Sequence, residues 1–132
     1  MDAYDPQSMT DRFASLPSRL REVATNARIG DVPALLVRSE DREPRPFLFW
    51  MHGRTVDKET DPGRYLRLVR AGVNVCAVDL PGHGERSEKG LQGSDAVLDV
   101  ITQMVAEIDD ILPFLNEIGG FDCEHAAIGG MS

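Results

Sequence analysis

Three short turns gather the residues of this chain that could do chemistry: "HGRT" at 52–55, "DLPGHG" at 79–84 and "GGMS" at 129–132. Between them they hold two imidazoles, His52 and His83, a carboxylate, Asp79, and a hydroxyl, Ser132. A serine hydroxyl becomes a useful nucleophile only when an adjacent base takes its proton. Glycines beside it let the backbone turn sharply or approach a neighbour closely. Taken alone, a terminal Gly-x-Ser reads as a polar tail. A metal site from His52, Asp79 and His83 lacks a recognised ligand spacing, and no metal or other cofactor is expected. The three turns form a set because each follows an apolar run of strand length: "FLFWM" (47–51), "VNVCAV" (73–78) and "HAAIG" (125–129).

Short, wholly apolar runs are the mark of strands buried on both faces of a parallel sheet. Helical patterns separate them. Asp61-Pro62 reads as a helix start, with Asp61 capping exposed N–H groups and Pro62 at the first helical position. That helix runs to about Ala71, turns Tyr65, Leu66 and Val69 inward, and ends at Gly72. A longer one begins near Ser94 and carries Ile101, Met104, Val105, Ile108, Leu112 and Leu115 on one face. Pro113 is expected to kink or interrupt it, and Gly119-Gly120 to close it.

Upstream, "EVATNARI" and "VPALLVRS" read as two strands joined at Gly30-Asp31. "DREPRP" (41–46) reads as a loop in which Pro44 and Pro46 forbid regular structure. Residues 9–20 suggest a short amphipathic helix with Met9, Phe13 and Leu16 ahead of Pro17. Asp57, Lys58 and Glu59 read as a solvated charged loop above the turn at His52. The whole is an α/β pattern, a mostly parallel sheet of about five strands with crossover helices. In such sheets ligands gather at the carboxyl ends of the strands, where the three turns fall.

Composition narrows the classes. The chain has 132 residues, 42% hydrophobic and 27% charged, a single globular domain by size. Its formal net charge of −8 argues against nucleic acid and anionic membrane surfaces as partners, since both call for basic patches. No run approaches the length of a transmembrane helix, and "MDAYDPQSMT" lacks the features of a signal peptide. The two cysteines, Cys76 and Cys123, fit free thiols in a reducing compartment. The expected location is the cytoplasm.

With their order and spacing, "HG" at 52–53, "DLPGHG" at 79–84 and "GMS" at 130–132 resemble the α/β-hydrolase superfamily, over about residues 20–132. The resemblance implies the N-terminal part of an α/β-hydrolase domain at 20–132, preceded by an N-terminal extension or short helix at 1–19. It implies that Gly130-Met131-Ser132 are the first three positions of the nucleophile elbow G-x-S-x-G, with Ser132 the nucleophile and the elbow cut short there. The backbone N–H of Arg54 is then one oxyanion-hole donor, with His52 and Gly53 shaping its loop. The superfamily's triad order is Ser, then Asp or Glu, then His, so His52, His83 and His125 all come too early to be the base.

Two functions follow as expectations. The parent protein is a serine hydrolase of esterase, lipase or peptidase type, cleaving an ester, thioester or amide of a small acyl substrate or peptide through an acyl-enzyme. The alternative is a non-catalytic truncated fragment, inactive by itself because it lacks the acid and the His of the triad. The resemblance also implies a sheet order beginning 1-2-4-3-5, with the last strand on an open edge.

Overall fold

Side chains alternate across each strand, so an apolar run with no polar gaps supplies both faces of a sheet. The computed structural model describes residues 6–131; Ser132 and the side chain of Met9 lie outside the described residues. Its elements are α1 (Pro6–Ala14), α2 (Ser18–Arg21), β1 (Ala24–Ile29), β2 (Val32–Val37), β3 (Arg45–Met51), α3 (Pro62–Arg70), β4 (Asn74–Val78), α4 (Val97–Ile118) and β5 (Phe121–Gly130). The sheet order is β1-β2-β4-β3-β5. β1 pairs antiparallel with β2, and β2 with β4, whereas β3 is parallel to both β4 and β5. β2 is therefore the one strand that runs against the other four.

Each face has its own core. Ala34, Leu36, Phe47, Phe49, Cys76 and Val78 meet Met104, Ile111 and Leu115 of α4. Leu35, Val37, Trp50, Val75 and Ala77 meet Tyr65 and Val69 of α3, together with Leu16 and Leu20. Full burial of such a side chain stabilises by roughly 1.5–3 kcal/mol. Leu16 and Leu20 are fully part of this core, so the N-terminal segment is bound into the domain. It forms two helices rather than one because Pro17 sets the break between them, at φ −54° and ψ 140°.

Several details depart from expectation. Pro46 lies inside β3, where the β3–β5 register shifts between Arg45 and Phe47 and pairing with β4 starts only at Phe47. Its missing N–H therefore breaks no rung. Asp61 occupies the N-cap of α3 but makes no side-chain cap; its carboxylate takes Arg64 Nε at 2.6 Å instead. α4 runs unbroken through Pro113, which is exposed, as is Asp109, whose carbonyl loses its usual helical donor on the solvent side. α4 is also turned from the expected face. Ile101 and Val105 are 53% and 60% exposed, and Val100 and Ile111 take their places in the core. The helix carries two apolar stripes, and periodicity alone does not choose between them.

Candidate active site

β3 and β4 are parallel neighbours, so their carboxyl ends deliver His52 and Asp79 to one edge of the sheet. His52 is buried, and the backbone N–H of Leu80 donates to its Nε2 at 3.0 Å. That bond fixes the tautomer: the proton sits on Nδ1 and is donated to the Gly53 carbonyl at 2.7 Å. Burial, opposed by the Gly53 bond and by Asp79, holds the imidazole below its ordinary pKa. A neutral ring with both nitrogens engaged is a staple between two turns. It ties Gly53 to Leu80 and has no lone pair left to act as a base.

Asp79 is the hub of the second turn. Its Oδ1 accepts the Lys58 N–H at 3.0 Å, and its Oδ2 accepts Lys58 Nζ and the Glu85 N–H, both at 2.9 Å. Gly84 has φ +58°, and a Cβ there would overlap the Asp79 carboxylate, so this position requires glycine. The Asp79 carbonyl accepts Arg86 Nε at 3.0 Å and Nη2 at 2.7 Å. The same guanidinium forks onto Glu107 of α4 at 2.7 and 2.8 Å. His83 is buried, with Nδ1 2.9 Å from the Pro81 carbonyl, so it fixes its own turn.

Lys58 corrects the reading of 57–59 as a wet loop. Its side chain is 0% exposed and is paired with Asp79 and, at 3.0 Å, with Glu59. Burial works against its charge, but Asp79 and Glu59 outweigh this and raise its pKa. Glu59 goes the other way from a usual paired carboxylate: burial raises its pKa despite Lys58. Tyr65 of α3 donates to the Lys58 carbonyl at 2.8 Å. Nothing local marks Lys58 as buried, because its main partner is 21 residues away. Arg86 and Glu107 were missed for the same reason.

Above these turns lies a cleft of about 320 Å³, lined by Trp50, His52, Gly53, Arg54, Val56 and Met131 among others. The Val56 N–H closes the turn on the Gly53 carbonyl at 3.4 Å. Among the described residues no internal acceptor takes the Arg54 N–H. Met131 reaches the cleft because its N–H bonds the Met51 carbonyl at 3.1 Å, which extends the β3–β5 ladder past Gly130. A Cβ at Gly130 would press on the same carbonyl at 2.8 Å, so a glycine permits this approach. His125 lies apart, exposed on β5 and 2.7 Å from Asp122. Among the described residues no group of three or more His, Cys, Asp or Glu could hold a metal ion.

An edge with a free N–H in a tight turn, beside the end of a parallel strand, suits the binding of a carbonyl oxygen. Solved structures share the architecture of this chain. A cold-adapted esterase from an Arctic intertidal metagenomic library superposes with a TM-score of 0.57 at 21% identity, over 83% of this chain and 49% of its own. Acetyl xylan esterase 1 from a Thermoanaerobacterium species gives 0.60 at 15% identity, over 98% and 52%. The chain has the α/β-hydrolase fold. It spans about half the length of these solved structures. No protein-family model and no curated protein matches the sequence. Among the described residues no helix is long and apolar enough to cross a membrane.

Proposed function

We propose that residues 20–132 are the N-terminal part of a serine hydrolase domain. Ser132 Oγ attacks the carbonyl carbon of an ester, thioester or amide, and a histidine supplied by the rest of the protein takes its proton. The Arg54 N–H receives the oxyanion. Collapse expels the alcohol, thiol or amine, which takes the proton back from the histidine, and water then cleaves the acyl-enzyme. The substrate is a small acyl compound or a peptide, and the compartment is the cytoplasm, in keeping with two free cysteines.

The observation that carries this reading is the Met131–Met51 hydrogen bond. It brings the residue before Ser132 to the cleft that Gly53 and Arg54 also line. For residues 1–132 by themselves, the engaged nitrogens of His52 favour the second reading, a catalytically silent polypeptide.

The test is activity-based labelling of the whole protein with a fluorophosphonate, alongside turnover of a p-nitrophenyl ester. Ser132→Ala should abolish both. Arg54→Ala should change turnover little, because only its backbone N–H acts; removal of such a donor itself costs about 2.7–4 kcal/mol of barrier. Labelling that persists in Ser132→Ala would rule out Ser132 as the nucleophile.

A further inference from the structure

Two loops meet at this edge of the sheet: 52–61 after β3, which lines the cleft, and 79–86 after β4, which packs against it through the Lys58–Asp79 pair. We infer that Arg12 of α1 is a positioning residue that clamps these loops together and so holds the turn presenting the Arg54 N–H. The inference rests on the serine-hydrolase reading of this site.

Arg12 Nη1 donates to Asp57 Oδ2 at 2.8 Å, and its Nε lies 3.0 Å from Glu85 Oε1. Glu59 Oε1 is 3.8 Å from Nη1. One guanidinium thus spans carboxylates of both loops, which its planar fork suits and a single ammonium does not. The Glu85 side chain is almost wholly buried, so its charge has to be met inside the protein.

Asp57 directly follows Val56, whose N–H closes the turn on the Gly53 carbonyl, so a restraint on Asp57 also restrains the turn. Asp57 Oδ1 accepts the Glu59 N–H at 3.0 Å and Thr60 Oγ1 at 3.1 Å, and the residue lines the cleft with Arg54. On the inner side the same loop is pinned by Lys58 to Asp79. A loop pinned once can pivot; the second pin at Asp57 removes that freedom. α1 can bear the load because Leu16 and Leu20, directly after it, are packed in the core. The N-terminal segment is in this way a working part of the site rather than an appendage.

In the whole protein, Arg12→Ala should lower kcat on a p-nitrophenyl ester about tenfold, the scale of a small misplacement of a catalytic group. KM should hardly move, since the oxyanion contact is made in the transition state. Amide hydrogen exchange over residues 53–57 should quicken, with the circular dichroism of the native fold retained. Arg12→Lys should recover part of the loss, meeting one carboxylate where Arg12 meets two.

Asp57→Asn is the second variant, informative even where Arg12→Ala does not fold, because it leaves Arg12 on Glu85. It should quicken the same amides and lower kcat less, and the double variant should be no worse than Arg12→Ala. Unchanged exchange at 53–57 in a folded variant, or an unchanged kcat in folded Arg12→Ala, overturns the clamp. Absence of any ester turnover in the unmutated protein would instead remove the serine-hydrolase reading, and the exchange data would still decide whether Arg12 holds the turn.

Discussion

At the carboxyl ends of β3 and β4, charge is buried and answered. Lys58, Asp79 and Glu85 are sealed from solvent, and each meets an opposite charge or a backbone N–H. On the far flank the reverse holds. Among the described residues β5 pairs only with β3, Ile128 is 66% exposed, and Leu98, Ile101 and Val105 form a bare apolar stripe on α4. The two regions differ in what specifies them. Turn geometry beside His52 and Asp79 is over-determined from within, by loops, three helices and the sheet together. The end of β5 is held from one side, through the ladder that closes at Met131. Such pre-organisation is what the proposed oxyanion role would ask of the 52–55 turn.

The largest blow to that comparison should come from Gly84→Ala. The left-handed backbone at φ +58° costs an alanine about 1–2 kcal/mol. Its Cβ also displaces the Asp79 carboxylate, so the loss of the buried pair, about 3–5 kcal/mol, is added. Urea unfolding should show a drop above about 4 kcal/mol, a size reserved for a few specific mechanisms. A drop under about 1 kcal/mol, that of an ordinary substitution, would mean the turn has room to relax.

Lys58→Ala comes next, with about 3–5 kcal/mol lost because Asp79 stays buried without its cation. A Lys58→Met, Asp79→Leu double variant sharpens the point. Swapping a plain buried ion pair for apolar residues is often neutral. Here the Lys58 and Glu85 N–H groups would lose their acceptor, so the double variant should remain clearly less stable than the original in the same urea titration.

The fold was largely legible because its signals are local. Runs such as "FLFWM" have no polar gap, and glycines such as Gly30 and Gly72 mark turns, both with positive φ. The sheet order also came out as the resemblance implied. What was not legible depends on partners distant in sequence. Lys58 in "VDKET" looks like any wet charge until Asp79 is brought against it. Arg12 reads as a helix-surface cation until Asp57 and Glu85 close on it. α4 has two apolar stripes, and only packing chose Val100 and Ile111 over Ile101 and Val105. The turns after β3 and β4 are marked in the sequence by His52-Gly53 and by Pro81-Gly82, but the ionic network that holds them is not.

A smaller effect, with a distinctive pH signature, is expected at Glu59. Burial raises its carboxyl above the ordinary glutamate value of 4.5. The stability it contributes is therefore fully present below 4.5 and is lost as pH rises through the folded value. Gln mimics the protonated form, so Glu59→Gln should unfold at a higher temperature than the original at pH 7, and the gap should close as pH falls towards 4.5. His52 moves oppositely: its lowered pKa gives stability present above 6.5 and lost as pH falls through the folded value. Taking the difference between the two proteins cancels that term. A gap that widens on acidification would show that the ionised Glu59 is held favourably by Lys58 and Arg12.

The smallest change in fold stability should come from the other flank. Ile128 is exposed, so Ile128→Lys removes little buried apolar surface and should shift the unfolding free energy by no more than about 0.5 kcal/mol. Its effect lies in association. An edge strand presents N–H and C=O groups ready to pair with another chain, and an edge lysine opposes that. For residues 1–132 alone, Ile128→Lys should lower light scattering and its dependence on concentration. Val105→Lys is the matched control: it is similarly exposed, but it sits on a helix whose backbone bonds are made internally. It should reduce scattering less. The reverse ranking would locate the association on the apolar stripe of α4, and the contrast between the two regions would then be one of surface chemistry rather than of an open ladder.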